Sequence, residues 1–409
     1  MNPAPKRRRP SAEPPPKGLL SVLVGNTPAA RGELAGLLSR HHPEAITLSV
    51  SVQADATGPY PVVQRLTATG SSSAGHMAHV SSGATGDPSV ILRQDLIALR
   101  RARKDVHIVL TLPQEVDVLP FLLDLWRSRI GADSLDDHYD SAPVLAAIDP
   151  AVLLRDVTDV RRTRRLWGDS GWSEPLTAAE AAVRQIEAVD TLVLAARDDS
   201  PARGGAVTLV RHLNTRAHVT TLRQPPTNSE ALAGRRSPVL VREVWAGSLE
   251  PVTLLPSAPN THPAVSSLVW RARRPLHPAR LAEALGDVML GVLRSRGHLW
   301  FANRPDSVVQ WRSAGPHLDV READRWLEES DTQAWKAASA QRRTLADWLW
   351  DDYYGERRNE IRFTGPGIDA ERITRALDGA LATDAELSLG PAAWSGWADP
   401  LFSRTEPDR

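Results

Sequence analysis

Cysteine is absent from all 409 residues of this sequence. Without a thiol, the chain forms no disulfide, holds no iron–sulfur cluster, offers no thiolate to a metal ion and carries no cysteine nucleophile. Any metal site would need other ligands, such as histidine. This absence therefore removes thiolate chemistry in both its catalytic and its metal-binding forms.

Long apolar runs and a net charge are lacking as well. No stretch of 18 apolar residues occurs, because Arg, Asp or Pro interrupts each candidate, and this predicts no membrane span. The charges balance at 49 basic and 49 acidic residues, so no overall field draws the protein onto nucleic acid or an anionic membrane. Residues 1–17 carry a basic run among prolines with no apolar export segment, and they are expected to be a disordered basic tail. We expect a cytoplasmic protein without direct DNA binding.

The apolar pattern predicts two folded domains, as expected for a chain of this length. Strands alternate with amphipathic helices over residues 18–224, the βαβ rhythm of a mainly parallel sheet with helices on both faces. Residues 225–263 are rich in Pro, Ser and Asn and are predicted to be a linker, residues 264–402 an α+β domain, and residues 403–409 a tail. Predicted strands are 19–25, 46–52, 105–110, 142–148, 191–195, 265–271, 299–302, 308–312 and 360–363; predicted helices lie around 34–38 and at 89–103, 115–129, 177–187, 278–294 and 369–382, with a loop at 67–88.

The second half carries the most specific motifs. They are Arg274-Pro275-Leu276-His277-Pro278, residues 291–300, Asn303-Arg304-Pro305-Asp306, residues 354–360, residues 383–386 and residues 397–401. This ordered series resembles the C-terminal domain of CobW-type proteins, densely over 265–402 and thinly before it. That family joins a P-loop GTPase domain to an α+β module and is associated with zinc or cobalt delivery. The resemblance therefore implies a P-loop-GTPase-like first domain.

Within the family, the chain is most similar to the actinobacterial branch of Mpy recruitment factors. The similarity rests on residues 65–69, 269–275 and 299–306. It implies a role in ribosome hibernation under zinc depletion. The implied partners are a hibernation factor and the small ribosomal subunit.

The expected phosphate-binding loop departs from its template. Such a loop needs glycines where backbone amides approach the phosphates, a lysine for the β and γ oxygens, and a Ser or Thr hydroxyl for magnesium. When the template GxxxxGK[ST] is aligned from Gly25, this sequence has alanine in place of the second glycine, Arg31 in place of the lysine and Gly32 in place of the hydroxyl residue. Pro28 also removes an amide. Without its magnesium ligand, phosphoryl transfer loses its main charge clamp.

Two further parts of the family's nucleotide site are altered. Thr111 stands where the resemblance places a glutamate directed at the metal, and only Asp198 survives of the Asn-Lys-x-Asp loop that recognises guanine. We therefore predict a pseudo-GTPase without catalytic residues. Weak nucleotide binding through Gly25, Arg31, Gly32 and Asp198 is one alternative. The other is a plain strand-to-helix turn at Gly25 and a solvated loop carboxylate at Asp198.

The family's metal-binding element has lost its ligands. CobW-type carriers usually bind metal through Cys-x-Cys-Cys or a shorter cysteine pair, whereas the matching residues 86–93 contain no thiol. The landmark Gly86 and the Arg-x-Asp pair of Arg93 and Asp95 remain. The spacing of His76 and His79 would allow both to coordinate a metal ion from one loop, but two ligands without a third bind a metal weakly. We predict no metal site and no resident cofactor, with GTP and magnesium as weak ligands at most.

Other prominent residues favour structural roles. His277, in an Arg-Pro-x-His-Pro turn, is interpreted as a hydrogen-bonded structural histidine. We expect the Trp- and Tyr-rich residues 335–354 to pack in a core or against a protein partner rather than to stack on RNA bases. The basic runs 100–104, 161–165 and 271–274 could grip ribosomal phosphate, although most such runs are solvated faces.

The leading hypothesis is a non-catalytic interaction protein that brings a ribosome hibernation factor to the small subunit during zinc starvation. A protein needed in zinc shortage should not itself trap zinc, which suits a chain without cysteine. The alternative is a GTP-binding metallochaperone for zinc or cobalt with atypical motifs. A third hypothesis is a relic that binds an unknown regulatory small molecule.

Overall fold

The computed structural model describes residues 16–53, 60–69, 78–127, 133–163, 176–195, 201–223, 230–259 and 264–402. His76, Asp198 and the side chain of His79 lie outside this described part. Within it, no helix is both long and apolar enough to cross a membrane.

The N-terminal domain is a twisted, mostly parallel sheet with helices on both faces. Its elements in chain order are β1 (Gly18–Gly25), α1 (Pro28–His41), β2 (Ile46–Gln53), β3 (Val62–Thr69), β4 (Ala78–Thr85), α2 (Pro88–Ala102), β5 (His107–Thr111), α3 (Val118–Leu125), α4 (Leu135–His138), β6 (Tyr139–Ile148), α5 (Pro150–Asp156), β7 (Arg162–Thr163), β8 (Leu176–Thr177), α6 (Ala178–Glu187), β9 (Thr191–Leu194), α7 (Pro201–Leu213), β10 (His218–Thr221), α8 (Glu230–Ala233) and α9 (Pro238–Leu249). Among the described residues, eight strands run in the order β10-β9-β6-β1-β5-β2-β3-β4. The β2–β3 and β3–β4 pairs are antiparallel, and the other pairs in this sheet are parallel.

The central strands are apolar on both faces because helices cover both sides of the sheet. Strand β1 shows this best. Val22 and Val24 pack into the core beneath α2, α3, α6 and α7, while Leu23 points to the opposite face and packs with Leu34 and Leu38 of α1. The continuous apolar run in the sequence is therefore the signature of a strand buried on both sides.

The C-terminal domain is an antiparallel sheet with helices on one face. Its elements are β11 (Ser266–Ala272), α10 (Pro278–Met289), β12 (Arg294–Leu299), β13 (Ser307–Ala314), β14 (His317–Arg325), α11 (Thr332–Ala337), α12 (Ala340–Trp348), β15 (Asn359–Gly365), α13 (Ala370–Gly379) and α14 (Asp384–Trp394). The described strands lie in the order β11-β15-β12-β13-β14. Leu299, Trp311 and Phe363 pack on one face with Leu281 of α10 and Leu377 of α13.

The predicted fold class is confirmed, but three local predictions are wrong. Residues 67–88 were expected to be a loop, yet β3 and β4 form an antiparallel hairpin there. The segment 225–263, predicted to be a linker, contains α8 and α9, and Val241 and Trp245 of α9 are buried in the N-terminal core. The helix predicted over 278–294 ends at Met289, and the following strand begins at Arg294 rather than at residue 299.

Candidate functional site

The segment that aligns with a phosphate loop forms a tight turn instead of a cradle. Strand β1 ends at Gly25 and helix α1 already begins at Pro28, the fourth position of the eight-residue template. The hydroxyl of Thr27 caps the helix by accepting from the amide of Ala30 at 3.1 Å. A phosphate cradle depends on several amides that converge on open space. Here the corresponding residues are helical, and the capped amide is already satisfied.

Asn26 holds this turn in place. Its buried side chain donates to the carbonyl of Asp149 and to a carboxylate oxygen of Asp156, both at 3.1 Å, and accepts from the amide of Asp149 at 2.8 Å. Its own amide donates to the carbonyl of Ala147. The turn after β1 is therefore bonded to the turn after β6 at the carboxyl edge of the sheet, where a nucleotide would lie in a doubly wound fold.

Arg31, the residue in the lysine position, is engaged inside the protein. Its guanidinium Nη1 donates to the carbonyl of Gly25 at 2.8 Å, so the side chain folds back along the turn. Burial lowers the pKa of Arg31, and the nearby carboxylate of Glu115 opposes that shift. The side chain is thus partly desolvated over the loop rather than extended toward a phosphate.

The two predicted site glycines occupy very different surroundings. A Cβ on Gly25 would lie 2.4 Å from the carbonyl oxygen of Ala147, so only glycine fits beside β6. Gly32 is exposed in α1, and a Cβ there would have no atom within 4 Å. Close packing of two strands explains Gly25 without any ligand, as in the strand-to-helix alternative, whereas nothing around Gly32 requires glycine.

The two acidic positions of the family's nucleotide site are Thr111, where a glutamate is expected, and Asp198. Neither places a carboxylate at this site in the part of the chain that the structure describes. Thr111 ends β5 as expected, and its buried hydroxyl has no hydrogen-bond partner there. Asp198 lies outside the described part, so its proposed contact with guanine stays a prediction. The structure brings together Gly25 and Arg31 and places Gly32 one helical position further on, facing solvent.

The segment that would carry metal ligands is the start of an ordinary capped helix. Asp87 caps α2 by accepting from the amide of Ser89 at 2.8 Å. The side chain of Arg93 is buried and donates to the carbonyl of Leu125 at 2.9 Å, and Asp95 forms an ion pair with Arg65 at 2.9 Å. No group of three potential metal-binding side chains occurs in the part of the chain that the structure describes.

His277 has the structural role expected from its sequence context. It precedes α10, where its Nδ1 accepts from the amide of Arg280 at 3.5 Å, and its ring stacks on Trp397 with 4.4 Å between the centroids. The interpretation of His277 as a hydrogen-bonded structural residue is confirmed.

Several arginines of the basic runs are paired within the protein. Arg101 pairs with Asp133, Arg161 with Asp159, Arg271 with Glu360, and Arg274 with Asp384. Paired arginines present less free charge to a polyanion, so these runs are weaker phosphate-binding surfaces than their sequence suggests.

One charged surface was missed at the level of sequence. The face of the C-terminal sheet opposite its helices carries the side chains of Arg294, Arg296, Arg312, Arg321 and Arg362, and it packs against α6 and α7 of the N-terminal domain. We call this set the arginine face. Its signal was available, because the five side chains alternate with residues of the opposite face along β12, β13, β14 and β15.

The arginine face is held by two glutamates of α6. Arg294 is buried and contacts both Glu180, at 2.6 Å, and Glu187, at 2.8 and 2.9 Å. Arg296 and Arg362 also approach Glu187, at 3.3 and 3.8 Å. Burial would raise the pKa of Glu187, but Arg294 and Arg296 more than offset it and lower the pKa to about 2. The two domains therefore meet through a buried ionic network.

Comparisons with known proteins found a matching family profile, related sequences and similar solved structures. The sequence profile of the cobalamin synthesis protein cobW C-terminal domain matches residues 265–381. The chain is 30% identical over 357 residues to a zinc chaperone of Mycobacterium tuberculosis, covering 83% of this chain and 84% of that protein. It is 31% identical over 141 residues to zinc-regulated GTPase metalloprotein activator 1 of Dictyostelium discoideum, covering 34% of this chain and 29% of the relative. The Zn(II)-bound YjiA GTPase of E. coli has 15% identity and a TM-score of 0.35, with coverage of 90% and 100%.

The fold and the matched profile define a two-domain protein in which a mostly parallel α/β domain precedes an antiparallel α+β domain. The extended similarity to the mycobacterial protein then settles the family. This chain belongs to the CobW family.

Proposed function

We propose that this protein is a non-catalytic member of the CobW family that acts in the cytoplasmic response to zinc starvation by binding other macromolecules. In this proposal it brings a ribosome hibernation factor to the small ribosomal subunit. The first part of this proposal is that the protein does not hydrolyse GTP, and the second is that it has a surface that contacts a protein partner.

The observation that carries the first part is the turn between Gly25 and Pro28. Helix α1 begins where a phosphate loop would still curve around the β-phosphate, and Asn26 fixes the turn to Asp149 and Asp156. A loop that lacks its lysine and its magnesium hydroxyl has neither of the charge clamps on which phosphoryl transfer depends. We infer that the domain is retained as a scaffold.

The second part is supported by exposed aromatic residues in the C-terminal domain. Trp348 is 75% exposed and Tyr353 is 83% exposed. Trp335 and Trp350 contact one another, with ring centroids 5.9 Å apart. Large exposed aromatic side chains are typical anchors of protein interfaces. We propose that the exposed side chains of Trp348 and Tyr353 contact the recruited partner.

The alternative function is that of a zinc chaperone, which is what the name of the mycobacterial relative describes. It would require zinc ligands other than thiolates, because the chain has no cysteine. It would also require a nucleotide site that opens when GTP binds. This alternative predicts saturable binding of both zinc and GTP.

Cosedimentation tests the proposed function. Purified protein, a hibernation factor and small ribosomal subunits are centrifuged together at moderate salt, and the factor bound to the subunits is measured with and without this protein. We expect the protein to increase the bound factor, and the W348A/Y353A double variant to lose most of that increase. Leu389→Ala, a change at another exposed apolar residue, is the matched control. No increase with the native protein would overturn the proposal.

Calorimetry separates the two candidate functions. We expect titration with zinc, and with GTP plus magnesium, to give no stoichiometric, saturable binding at the turn after β1. Saturable zinc binding together with magnesium-dependent GTP binding would support the chaperone instead.

A further inference from the structure

A cleft of about 830 Å³ lies between the two domains, away from the turn after β1. The N-terminal domain contributes α6 and the β7–β8 ribbon to its walls, and the C-terminal domain contributes the β13–β14 hairpin and α10. Its volume falls within the ~300–1,000 Å³ that is typical of pockets for small organic ligands.

The charges that line the cleft do not balance. Among the described lining residues four are arginines (Arg162, Arg184, Arg312 and Arg321) and two are carboxylates (Glu180 and Asp319). Both carboxylates are already engaged. Glu180 pairs with Arg184 and Arg294, and Asp319 lies 3.8 Å from Arg321. The cleft therefore carries an excess of positive charge that the described residues do not neutralise.

Arg312 is the focus of this excess. It projects from β13 on the arginine face, is partly buried, and makes no hydrogen bond or ion pair with any described residue. Burial and the charge of Arg184 lower the pKa of Arg312 to about 9, although Glu180 opposes the shift. A partly buried guanidinium without a hydrogen-bonded anion is costly, and an anionic ligand would relieve that cost.

A second wall of the cleft, around the edge strand β14 from Arg312, is apolar. Leu285 of α10, Leu318 and Val320 of β14, and Leu401 line it, together with Leu176 of β8. Leu318 and Val320 face the helix side of the C-terminal sheet and Arg312 faces the other side, so a ligand that filled the cleft would bend around β14. Its charge would lie against Arg312 and Arg162 and its uncharged part against the apolar wall. Inorganic phosphate alone would satisfy only one of the two walls.

We propose that this interdomain cleft is a binding site for a small organic phosphate, with Arg312 and Arg162 as the residues that bind the phosphate group. The site is distinct from the turn after β1 and goes beyond the proposed recruiting function. Because its walls come from both domains, an occupied cleft would stabilise their contact.

Calorimetry in EDTA, with 5′-AMP and inorganic phosphate as probes, tests the proposal. Without magnesium, we expect saturable binding of 5′-AMP that is tighter than binding of phosphate, because only 5′-AMP can also contact the apolar wall. Arg312→Gln should weaken 5′-AMP binding at least about tenfold, since it removes a charge-assisted hydrogen bond. Arg162→Gln, a change at an exposed residue, should weaken it by a smaller factor.

Two matched variants provide the controls. Arg155→Gln changes an exposed arginine of α5 outside the cleft, and Arg31→Gln changes the turn after β1; both should keep the native affinity. Arg312→Gln should also leave the melting temperature of the ligand-free protein unchanged or raise it, because it removes an uncompensated charge.

Three results would overturn the proposal. They are no saturable binding of 5′-AMP by the native protein, an equal loss of affinity with Arg155→Gln, and binding of a decaglutamate peptide without binding of 5′-AMP. The last result would instead assign the cleft to an acidic polypeptide.

Discussion

Arg294 of the C-terminal domain and Glu187 of the N-terminal domain form a two-point ion pair. Nε of Arg294 donates to Oε1 of Glu187 at 2.9 Å, and Nη2 donates to Oε2 at 2.8 Å. Their side chains are only 2% and 10% exposed. A buried pair of this kind fixes geometry more than it adds net stability, but the loss of one partner leaves the other charge buried and unpaired. The contact therefore makes the relative position of the two domains sensitive to single substitutions.

We expect Glu187→Gln to lower the free energy of unfolding by about 3–5 kcal/mol, because it leaves Arg294 and Arg296 facing an uncharged side chain. Urea denaturation provides the measurement. Asp133→Asn is the matched control, since its pair with Arg101 is exposed to solvent and should contribute little to stability. Equal, small losses in the two variants would contradict the role of Glu187.

The interdomain network should make the protein sensitive to acid. Burial would raise the pKa of Glu180, but Arg294 and Arg184 lower it to about 2, and the pKa of Glu187 is likewise about 2. Folded-state pKa values below the ordinary 4.5 add stability above pH 4.5, and that stability is lost as the pH falls toward 2. Denaturation midpoints measured across this window should fall with pH. The fall should be shallower in Glu187→Gln, and an equally steep fall would show that Glu187 is not responsible.

The two glycines near the turn after β1 should respond in opposite directions to alanine. Gly25→Ala places a Cβ 2.4 Å from a backbone oxygen of β6 and should destabilise the fold by about 1–3 kcal/mol. Gly32→Ala meets no atom in an exposed helix and should stabilise it by about 0.5–1 kcal/mol. Chemical denaturation of both variants measures these changes. Destabilisation by Gly32→Ala would mean that α1 does not begin as early as Pro28.

Restoring the consensus residues of the phosphate-loop motif should not restore GTP hydrolysis. The triple variant A30G/R31K/G32T recreates GxxxxGKT, but Asn26 still ties the turn to Asp149 and Asp156. We expect its GTP hydrolysis to equal that of the native protein and of a buffer control in a phosphate-release assay. Turnover that appears in the triple variant would show that residue identity alone, rather than the shape of the turn, had silenced the site.

Much of the N-terminal fold was predictable because its strands are buried on both faces and read as short apolar runs. Strands β1, β5 and β6 all overlap the predicted segments. The antiparallel pairing of β3 and β4 was not predicted because the Ser, Gly and His residues within 67–88 suggested a loop. Helix α9 was missed because Pro238 was interpreted as a linker residue, whereas it occupies the first helical turn, where proline is favoured.

The candidate site was only partly predictable. The sequence shows which residues of the phosphate-loop template are missing, but not that α1 begins at Pro28 or that Asn26 locks the turn, because these depend on the neighbouring strand β6. The arginine face was visible as alternation in Arg294 and Arg296, yet the identity of its partners on α6 is a tertiary relationship. Such partners lie more than 100 residues away in the chain.

The most direct test of the central claim is a single-turnover measurement of phosphate release from radiolabelled GTP with magnesium, at an excess of protein over nucleotide. The turn from Gly25 to Pro28 predicts release at the rate of the buffer control, for both the native protein and Arg31→Ala. Magnesium-dependent release by the native protein that disappears in Arg31→Ala would contradict the account.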